Sequence, residues 1–365
     1  MRIVVSAGGT AGHVNPALAV TRVLIENGAE VLYAGTPDSF EERLVTAQGI
    51  PFTGFYSKGF NRRKPWTLPA TLLKLNNSRS LARKWLREIK ADAVATFGGY
   101  ASLPVGLAAI SLGLPLLVHE QNARSGLANR VLAGKASVLA ISDERAISGF
   151  NKKANIVVTG NPLREELFGV DRTAAREFFG LLAESLVMLI FGGSTGAHHL
   201  NAAMLNQARY LLDSFADLKV LHVTGALDYE WAGEVFAALE IDASRWQLHE
   251  YCYNMGEAYA AADLVVARAG ATSLAEFTAL AKPALLVPYP YAAADEQTAN
   301  AERLAAAGAA RVWADSRLDE PGFANELTEL LANSQLRADM SKQAAKLGKP
   351  EATATIAKLV LELAE

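Results

Sequence analysis

The same local pattern occurs twice in this chain of 365 residues, and it limits the fold more than any other feature. A short apolar run leads into a glycine-rich turn and then a helical pattern, first as IVVSAGGTAGH from residue 3 and again as LVMLIFGGSTGAHH from residue 186. Strands this continuously apolar are typical of a parallel sheet that helices cover on both faces. The repetition therefore predicts an α/β protein with two doubly wound, Rossmann-like domains.

Apolar runs that alternate with helical patterns are predicted as strands. Six precede residue 161, at 3–7, 30–35, 93–96, 115–120, 137–142 and 156–160, and five follow it, at 186–194, 219–225, 246–251, 263–268 and 284–290. The domain boundary is predicted near TGNPLR, because Gly160 and Pro162 interrupt the strand and helix periods there. The segment 352–365 is helical and apolar, so it either completes the second domain or returns to the first.

Composition and charge exclude several classes of protein. Apolar residues make up 51% and charged residues 20% of the chain, enough for sizeable cores and unlike disordered protein. A formal net charge of -3 argues against a nucleic-acid partner, and a single cysteine excludes a disulfide framework. The first apolar run is too short for a signal peptide, and glycine, serine and proline break the uncharged run at 93–118. We therefore expect any membrane contact to be peripheral.

Each glycine-rich turn lies where a strand ends and a helix begins, so several backbone N–H groups point at one spot. The helix dipole adds partial positive charge, and the spot suits an anion, although glycine also permits a tight turn without a ligand. GGTAGH does not read G-x-G-x-x-G, and the acidic residue expected about 20 residues later in a dinucleotide site is not clearly placed. The sequence contains no G-x-x-x-x-G-K-[ST] run either. These turns therefore favour neither a nicotinamide dehydrogenase nor a P-loop kinase.

Six motifs, in one order, carry a resemblance to a known family. They are GGTAGHVNPALAV, FGGYASLPVGLAA, HEQNARSGLANRVLA, TGNPLR, FGGSTGAHHLN and RAGATSLAEFTALAKPALLVPYPYAAADEQTANA. Together they resemble the MurG family of N-acetylglucosamine (GlcNAc) transferases. The resemblance implies a GT-B fold, in which two Rossmann-like domains face each other across a cleft. It assigns residues 1–161 and about 347–365 to an acceptor and membrane-side domain, and residues 162–346 to a UDP-GlcNAc-binding domain.

The resemblance also implies a reaction and a location. GlcNAc would move from UDP-GlcNAc to the C4 hydroxyl of lipid I, the undecaprenyl-diphospho-MurNAc-peptide, with inversion at the anomeric carbon. The product would be lipid II for peptidoglycan synthesis. The enzyme would act peripherally at the cytoplasmic face of the bacterial cell membrane, with cell-wall and division proteins as partners. Because no D-x-D carboxylate pair occurs in the sequence, we expect neither a metal nor a tightly bound cofactor.

The matching positions imply a donor site. Its residues are Thr10, Gly12, Asn122, Arg164, Ser194, Glu276, Gln297 and the backbone at Cys252. Ser194, the amides of its turn and Arg164 would hold the diphosphate, since helix amino ends and guanidinium groups both bind phosphate. Glu276 would accept from the ribose hydroxyls, and Gln297 would contact the donor sugar.

The resemblance assigns other donor-side positions less directly. Asn300 would support the loop of Gln297, and the backbone near Cys252 and Tyr253 would read the uracil edge. Glu296 stands where the family frequently has histidine or glutamine, which leaves sugar contacts at that position open. Arg268 ends a predicted strand and is a weaker candidate.

Three donor positions also have structural interpretations. Arg164 has two acidic neighbours, residues 165 and 166, with which it could form a surface ion pair. Ser273 and Glu276 read as an S-x-x-E capping box, in which Glu276 would satisfy a backbone N–H at a helix start. The Cys252 side chain reads as a small apolar group, because a backbone contact needs no thiol.

In the first domain, His13 is the candidate catalytic residue. It would project from a glycine-rich turn at the mouth of a parallel sheet, where ligands collect. We expect it to act on the acceptor hydroxyl, either as general base or as an orienting partner. The acceptor diphosphate is expected at Gly9, Gly98, Gly99 and Ser102. Ala11 and Leu103 replace glycines that are frequent in the family.

The segment 58–90 is strongly basic, with ten Lys or Arg residues and one acid. Aromatic and aliphatic residues interleave with its first half, as an interfacial surface on anionic lipid requires. The membrane contact is predicted at Arg62, Arg63, Lys64, Trp66 and Leu72. From residue 79 to 90, a solvated helix face is the better interpretation.

Other functions are compatible with parts of this pattern. Another GT-B transferase of UDP-sugars shares its fold, and a UDP-sugar 2-epimerase would need additional acid and base carboxylates, which the sequence does not identify. A non-catalytic, membrane-recruited module that binds UDP-sugar is the rival of another class. It is disfavoured because one chain carries both half-sites.

Overall fold

The computed structural model describes residues 1–57, 68–151, 154–193, 196–292 and 295–365. They divide into two compact units, which we call the first unit, Met1–Arg164 with Lys349–Glu365, and the second unit, Glu165–Gly348. Each unit contains its own parallel sheet and its own hydrophobic core. Each is therefore an α/β domain by itself.

Two parallel sheets organise the described residues. The strands of the first unit are β1 (Arg2–Ser6), β2 (Glu30–Gly35), β3 (Phe52–Gly54), β4 (Ala93–Thr96), β5 (Leu116–Glu120), β6 (Val138–Ile141) and β7 (Ile156–Val158). Those of the second unit are β8 (Leu186–Phe191), β9 (Leu218–Val223), β10 (Trp246–His249), β11 (Leu264–Ala267), β12 (Ala284–Leu286) and β13 (Ala310–Val312). Their spatial orders are β3-β2-β1-β4-β5-β6-β7 and β10-β9-β8-β11-β12-β13. In both sheets the order reverses beside the first strand, which is the point where open α/β sheets bind ligands.

Fourteen α-helices lie within the described ranges, and the last three follow the final strand. They are α1 (Ala11–Glu26), α2 (Phe40–Thr46), α3 (Leu68–Glu88), α4 (Ser102–Leu112), α5 (Leu127–Ala133), α6 (Arg172–Phe178), α7 (His198–Ser214), α8 (Tyr229–Ala238), α9 (Met255–Ala261), α10 (Ala271–Ala279), α11 (Glu296–Ala306), α12 (Pro321–Ala332), α13 (Ser334–Leu347) and α14 (Ala352–Ala364). Of the helices in this part of the chain, none is both long and apolar enough to cross a membrane.

Both faces of the first sheet are buried. On one face Ile3 and Val5 pack in a core with α1 and α14, to which α14 contributes Ile356 and Val360. On the other face Val4 packs with residues of α3, α4 and α5. Burial on both faces explains why the apolar runs of the sequence are continuous, since each strand must bury the side chains of both its faces. The closing helix α14 thus packs in the first unit, against α1.

The sheet of the second unit is covered in the same way. Met188 and Ile190 of β8 enter a core with α7 and α12, in which Trp246 is fully buried. Phe191 points to the other face and packs edge-on against Tyr259 of α9 and Phe277 of α10.

The predicted doubly wound α/β fold is confirmed, and every predicted apolar run contains an observed strand. Two edge strands, β3 and β13, are absent from the prediction, because three residues such as FTG or ARV carry too little apolar pattern to be recognised. Several predicted strands extend too far, as at residues 192–194. There β8 ends at Phe191, because the positive φ of Gly193 turns the chain out of the sheet.

Candidate active site

Two glycine turns meet at the carboxyl edge of the first sheet, where β1 and the adjacent strand β4 end. Gly98 and Gly99 have φ values of +88° and +77°, which favour glycine. A Cβ on Gly99 would lie 2.0 Å from the carbonyl oxygen of Gly8, and one on Gly98 would lie 2.9 Å from Cδ2 of His13. Only residues without a side chain allow the two turns to approach each other and the histidine this closely.

His13 is the third residue of α1, and its orientation is fixed locally. Nδ1 lies 2.9 Å from Oγ1 of Thr10, the residue before the helix, whose side chain makes no capping bond to the backbone. Burial lowers the pKa of His13, so the ring is neutral at pH 7. With Nδ1–H donating to Thr10, Nε2 keeps its lone pair and is able to accept a proton. The predicted role of Thr10 in binding the donor therefore competes with a visible role in orienting His13.

Asn122 lies on a loop that a buried carboxylate organises. Glu120, the last residue of β5, accepts from the backbone N–H groups of Asn122 at 3.0 Å and Gly126 at 2.9 Å, and from Nδ2 of Asn129 at 2.9 Å. Burial outweighs these hydrogen bonds and raises the pKa of Glu120. Its neighbour His119 is fully buried, and burial lowers its pKa to about 4. Both residues belong to the motif HEQNARSGLANRVLA but are buried. Glu120 holds the loop, whereas Nε2 of His119 lies 3.2 Å from the carbonyl oxygen of Gly160.

Two groups that were predicted to bind the acceptor diphosphate, at Gly9 and Ser102, form hydrogen bonds within the protein instead. The backbone N–H of Gly9 donates to Oε2 of the buried Glu41, 3.4 Å away. The hydroxyl of Ser102 is buried and donates to the carbonyl of Gly99 at 2.9 Å. The Glu41 bond stabilises the turn of Gly9, and the Ser102 bond stabilises the turn of Gly98 and Gly99. No sequence pattern marks Glu41, which is distant along the chain.

The matching turn of the second unit follows β8. A Cβ on Gly192 would lie 2.3 Å from Cβ of Ala197, and one on Gly196, which has φ +87°, would lie 2.4 Å from the carbonyl of Thr224. The 17-residue helix α7 begins at His198, directly after this turn, so its amino end lies at the carboxyl edge of the second sheet. Such an end offers unpaired N–H groups and a dipole to an anion. Ser194 lies outside the described residues.

Glu276 lies in α10 and is oriented by a residue that the sequence did not reveal. The buried Tyr259 hydroxyl donates to Oε2 of Glu276 at 2.7 Å. Helix α10 begins at Ala271 with Gly270 as its N-cap, so Ser273 lies inside the first turn and makes no capping bond. The alternative interpretation of Glu276 as part of a capping box is therefore wrong.

Gln297 joins two loops at the same edge of the second sheet. Its Oε1 accepts from the backbone N–H groups of Ala269 at 3.2 Å and Tyr289 at 2.9 Å. Asn300 is buried, and its Nδ2 donates to the carbonyl of Ala269 at 3.4 Å. Within the described ranges, Nε2 of Gln297 forms no hydrogen bond and is the amide atom left for a ligand.

Arg268 takes part in a charge network that ties the loops after β11, β12 and β13 to α7. It donates to the carbonyls of Val287 and Pro288, each at 3.2 Å, and pairs with Asp315 at 2.6 Å. Asp315 also bonds Nδ1 of His199 at 2.9 Å. Burial opposes ionisation of Asp315, but the His199 and Arg268 bonds outweigh it and hold its pKa below the ordinary value. These bonds give Arg268 a structural role.

The remaining predicted residues are dispersed. Arg164 is half-buried at the end of the first segment of the first unit, and Cys252 is half-buried in the loop after β10. Leu72 is exposed on α3. Arg62, Arg63, Lys64 and Trp66 lie outside the residues that the structure describes. Among those it does describe, no group of three His, Cys, Asp or Glu side chains is placed to hold a metal.

Comparison with known proteins assigns this arrangement to a class. The glycosyltransferase family 28 N-terminal domain matches residues 3–141, and the C-terminal domain of the same family matches residues 187–356. The fold is therefore GT-B, and the chain is a glycosyltransferase.

Comparison with individual proteins shows the family within this class of glycosyltransferases. The chain is 39% identical, over the full length of both chains, to the UDP-N-acetylglucosamine–N-acetylmuramyl-(pentapeptide) pyrophosphoryl-undecaprenol N-acetylglucosamine transferase of Moorella thermoacetica. It is also similar to the crystal structure of MurG from Acinetobacter baumannii, with a TM-score of 0.77, 31% identity and 99% of each chain covered. The chain belongs to the MurG family.

A putative UDP-N-acetylglucosamine 2-epimerase from Listeria monocytogenes also shares the architecture. Its TM-score is 0.71, with 97% of this chain and 94% of that chain covered, but the identity is 16%. A likeness at that identity shows the fold alone, and it does not favour the epimerase alternative.

Proposed function

We propose that this chain transfers GlcNAc from UDP-GlcNAc to the C4 hydroxyl of lipid I and so forms lipid II, a step of peptidoglycan synthesis. The observation that carries the proposal is the 39% identity, over the whole length, to a relative named for this transfer. The site geometry supports it, because the second unit presents groups suited to a sugar nucleotide and the first presents a neutral histidine beside two glycine turns.

The donor lies on the second unit in this proposal. The amino end of α7 and Ser194 bind the diphosphate. Arg164, which belongs to the first unit, is the proposed guanidinium for the same charge. Glu276 accepts from the ribose hydroxyls. The Tyr259 bond supports this role, because it fixes one carboxylate oxygen of Glu276 at 2.7 Å and so orients the other. Nε2 of Gln297 donates to the sugar, and the backbone at Cys252 contacts the uracil.

The acceptor lies on the first unit. The amides near Gly98 and Gly99 hold its diphosphate, Asn122 contacts the sugars, and Nε2 of His13 takes the proton of the C4 hydroxyl. As the hydroxyl oxygen forms its bond to C1 of GlcNAc, the bond from C1 to the UDP oxygen breaks, and the configuration at C1 inverts. Gly9, Gly12, Thr10 and Ser102 act through the shape of the turns.

Stabilisation of the leaving UDP falls on fixed dipoles and Arg164 in this mechanism. No D-x-D pair occurs in the sequence to hold a metal ion on the diphosphate. The N–H groups at the start of α7 and the guanidinium of Arg164 supply positive charge where the negative charge develops. The N–H groups of the helix are fixed by the fold of the second unit, so their reorganisation in this mechanism is small.

We also place the protein peripherally at the cytoplasmic face of the membrane, where lipid I is held by its lipid chain. Leu72 and Leu73 are 53% and 73% exposed near the start of α3, with the exposed Lys74 beside them. The adjoining segment 58–67 adds four basic residues, two aromatic ones and no acid. Basic and apolar side chains together are what anionic lipid binds.

Vesicle flotation tests the membrane contact. Replacement of Arg62, Arg63 and Trp66, or Leu72→Gln alone, is expected to release the protein from vesicles that contain anionic lipid. Arg83→Gln on the exposed later part of α3 is the matched control and is expected to leave binding unchanged. Unaltered flotation of the triple variant would remove the proposed contact.

A single assay tests the reaction. The protein is incubated with UDP-GlcNAc, with and without a lipid I analogue, and UDP, disaccharide and sugar nucleotide are measured. We expect UDP and a β-1,4-linked disaccharide, only when the acceptor is present. Conversion of UDP-GlcNAc to its C2 epimer without acceptor would favour the epimerase, binding without turnover would favour the non-catalytic module, and an α-linked product by NMR would refute the mechanism.

A further inference from the structure

A buried carboxylate lies directly beneath the first glycine turn. Glu41, in the first turn of α2, is 3% exposed and forms no ion pair with any residue in the described ranges. Its Oε2 accepts from the Gly9 N–H at 3.4 Å, and its Oε1 accepts from the Thr36 N–H at 3.3 Å. A buried carboxylate is costly unless hydrogen bonds or a cation compensate it. Backbone N–H groups supply the compensation here, and one of them belongs to the turn.

The same carboxylate limits the space around the Gly8 peptide. A Cβ on Gly8 would lie 2.4 Å from Oε1 of Glu41 and 2.7 Å from Cβ of Ala101. The carbonyl oxygen of Gly8 in turn lies where a Cβ on Gly99 would approach to 2.0 Å. Gly8 therefore approaches α2 and the turn after β4 at the same time, and it has no room to move toward either.

This turn leads directly to the candidate base. Gly9 has φ +89° and precedes Thr10, whose Oγ1 lies 2.9 Å from Nδ1 of His13. The Thr10 side chain makes no capping bond to α1, so the orientation of the ring depends on where the backbone holds that hydroxyl. Glu41 fixes the N–H of the residue before Thr10. It therefore acts on His13 through the backbone.

The contact also changes what the turn is able to bind. The Gly9 N–H, which was expected to hold the acceptor diphosphate, already donates to Glu41. A phosphate at that N–H would approach a buried carboxylate, and charges that water does not screen repel strongly. After burial, the charge of Glu41 is the second cause that raises the pKa of Tyr33, whose hydroxyl donates to the carbonyl of Ala7 at 3.2 Å. The charge therefore acts at the end of β1.

The turn after β4 differs in this respect. Within the described ranges, the backbone N–H groups of Gly98 and Gly99 form no hydrogen bond. Successive backbone N–H groups without a partner in a glycine turn suit an anion. One turn therefore has N–H groups left for a phosphate, whereas the Gly9 N–H of the other turn bonds a carboxylate.

We propose that Glu41 is a positioning residue for His13 and that its carboxylate keeps the acceptor diphosphate off the first glycine turn. The diphosphate is thereby confined to the turn of Gly98 and Gly99, and the first turn is left to His13 and the sugar hydroxyl. The inference rests on the proposed function, because it takes lipid I as the acceptor. It deepens that function by assigning the phosphates and the hydroxyl of one acceptor to different turns.

Two substitutions at residue 41 separate the charge from the geometry. Glu41→Gln keeps the length of the side chain but removes the charge, and its amide nitrogen cannot accept from an N–H group. Glu41→Asp keeps the charge but is one methylene shorter, so it does not reach both N–H groups. Both are expected to lower kcat about tenfold, with KM for UDP-GlcNAc within about twofold of the parent, because the turn that carries Thr10 loses a bond.

A matched control lies on the same helix. Oε2 of Glu42 accepts from the Asp38 N–H at 2.6 Å, outside the glycine turn. Glu42→Gln therefore removes a neighbouring carboxylate with a similar backbone contact, and it is expected to keep the parental kcat.

Inhibition by inorganic pyrophosphate gives a readout that a purely structural role would not change. UDP-GlcNAc is kept saturating so that the donor site is filled, and the lipid I analogue is varied. Glu41→Gln is expected to lower the inhibition constant against the acceptor at least about threefold, because the first turn then admits phosphate. Glu41→Asp should leave this constant within about twofold of the parental value, because it keeps the charge.

The outcomes separate the two roles. Parental kcat in both variants would overturn the positioning role, and a parental inhibition constant in Glu41→Gln would overturn the exclusion of phosphate. Urea denaturation shows whether each variant is folded. If Glu41→Gln is not, Glu41→Asp tests both roles, since it should lower kcat without strengthening inhibition. If the parent forms disaccharide and the variants behave like it, only the role of Glu41 fails. If the parent forms neither UDP nor disaccharide, the proposed function fails with it.

Discussion

The glycine turns of the two units leave equally little room for a side chain, but they differ in what ties the neighbouring loops. In the first unit the turns interlock through the backbone, with Gly99 against the carbonyl of Gly8 and Gly98 against the ring of His13. In the second unit the loops are tied by side chains, through Arg268, Asp315 and the histidines of α7. Both turns depend on shape, since an added methyl has no room at Gly192 or Gly196 either. The second unit adds charge around its turn, since the side chains that tie its loops ionise.

This difference suits the two roles that we propose for the units in one displacement step. A general base must hold its geometry relative to the hydroxyl it deprotonates, and a backbone frame around His13 provides that rigidity. A diphosphate site must instead match charge that increases as UDP leaves, and ionised partners provide that match. Variants in the two regions should therefore affect different kinetic constants.

The largest effect is expected at His13. His13→Ala should lower kcat about 100-fold or more, because it removes the proton acceptor, while the affinity for UDP-GlcNAc stays close to parental. Burial lowers the pKa of His13, so kcat/KM of the parent should fall only as the pH drops below about 6.5, where the base becomes protonated. Near-normal turnover of His13→Ala at saturating substrates would remove its catalytic role.

The interlocked turns predict the next largest effect, on stability. Gly99→Ala should lower the free energy of unfolding by more than about 3 kcal/mol, because it combines a positive φ with a Cβ 2.0 Å from the Gly8 carbonyl oxygen. Gly113→Ala is the matched control, with φ +71° and nothing within 4 Å of the added carbon, and should cost about 1 kcal/mol. Chemical denaturation measures both. Equal costs would show that conformation, rather than close approach, determines the stability of the turn.

Variants in the second unit are expected to have a smaller effect, on KM for UDP-GlcNAc. Glu276→Ala should raise KM for UDP-GlcNAc at least about tenfold with a modest change in kcat, because it removes the proposed ribose contact. Tyr259→Phe keeps the carboxylate but removes the 2.7 Å bond that orients it, and should raise KM about threefold. If the two variants matched His13→Ala in kcat and left KM unchanged, the division of roles between the units would be wrong.

The sequence predicted more of the fold than of the contacts within the site. The apolar pattern predicted the central strands, because each of them buries side chains on both faces of its sheet. The strands β3 and β13 have three residues each, too few to show such a pattern. The glycine turns were visible because GG is a local signal. Tyr259, Glu41 and Asp315 were not, since each reaches its partner only through the fold. The sequence also could not show that the side-chain oxygen of Gln297 accepts hydrogen bonds from two backbone N–H groups.

The smallest predicted effect concerns the stability contributed by His199. Its bond to Asp315, with lesser contributions from Asp319, raises its pKa, so the pair stabilises the folded state fully below about pH 6.5 and less as pH rises through the folded pKa. The pKa of Asp315 is lowered in the folded state, so the stability that its carboxylate contributes is lost at the acidic end, as pH falls below about 4. His199→Gln should therefore cost less than about 1 kcal/mol at pH 5.5, because its side chain is 38% exposed, and still less at pH 8.5. Urea denaturation at the two pH values measures the difference, and a cost that grew with pH would show that hydrogen bonding, rather than charge, ties α7 to the loops of the second unit.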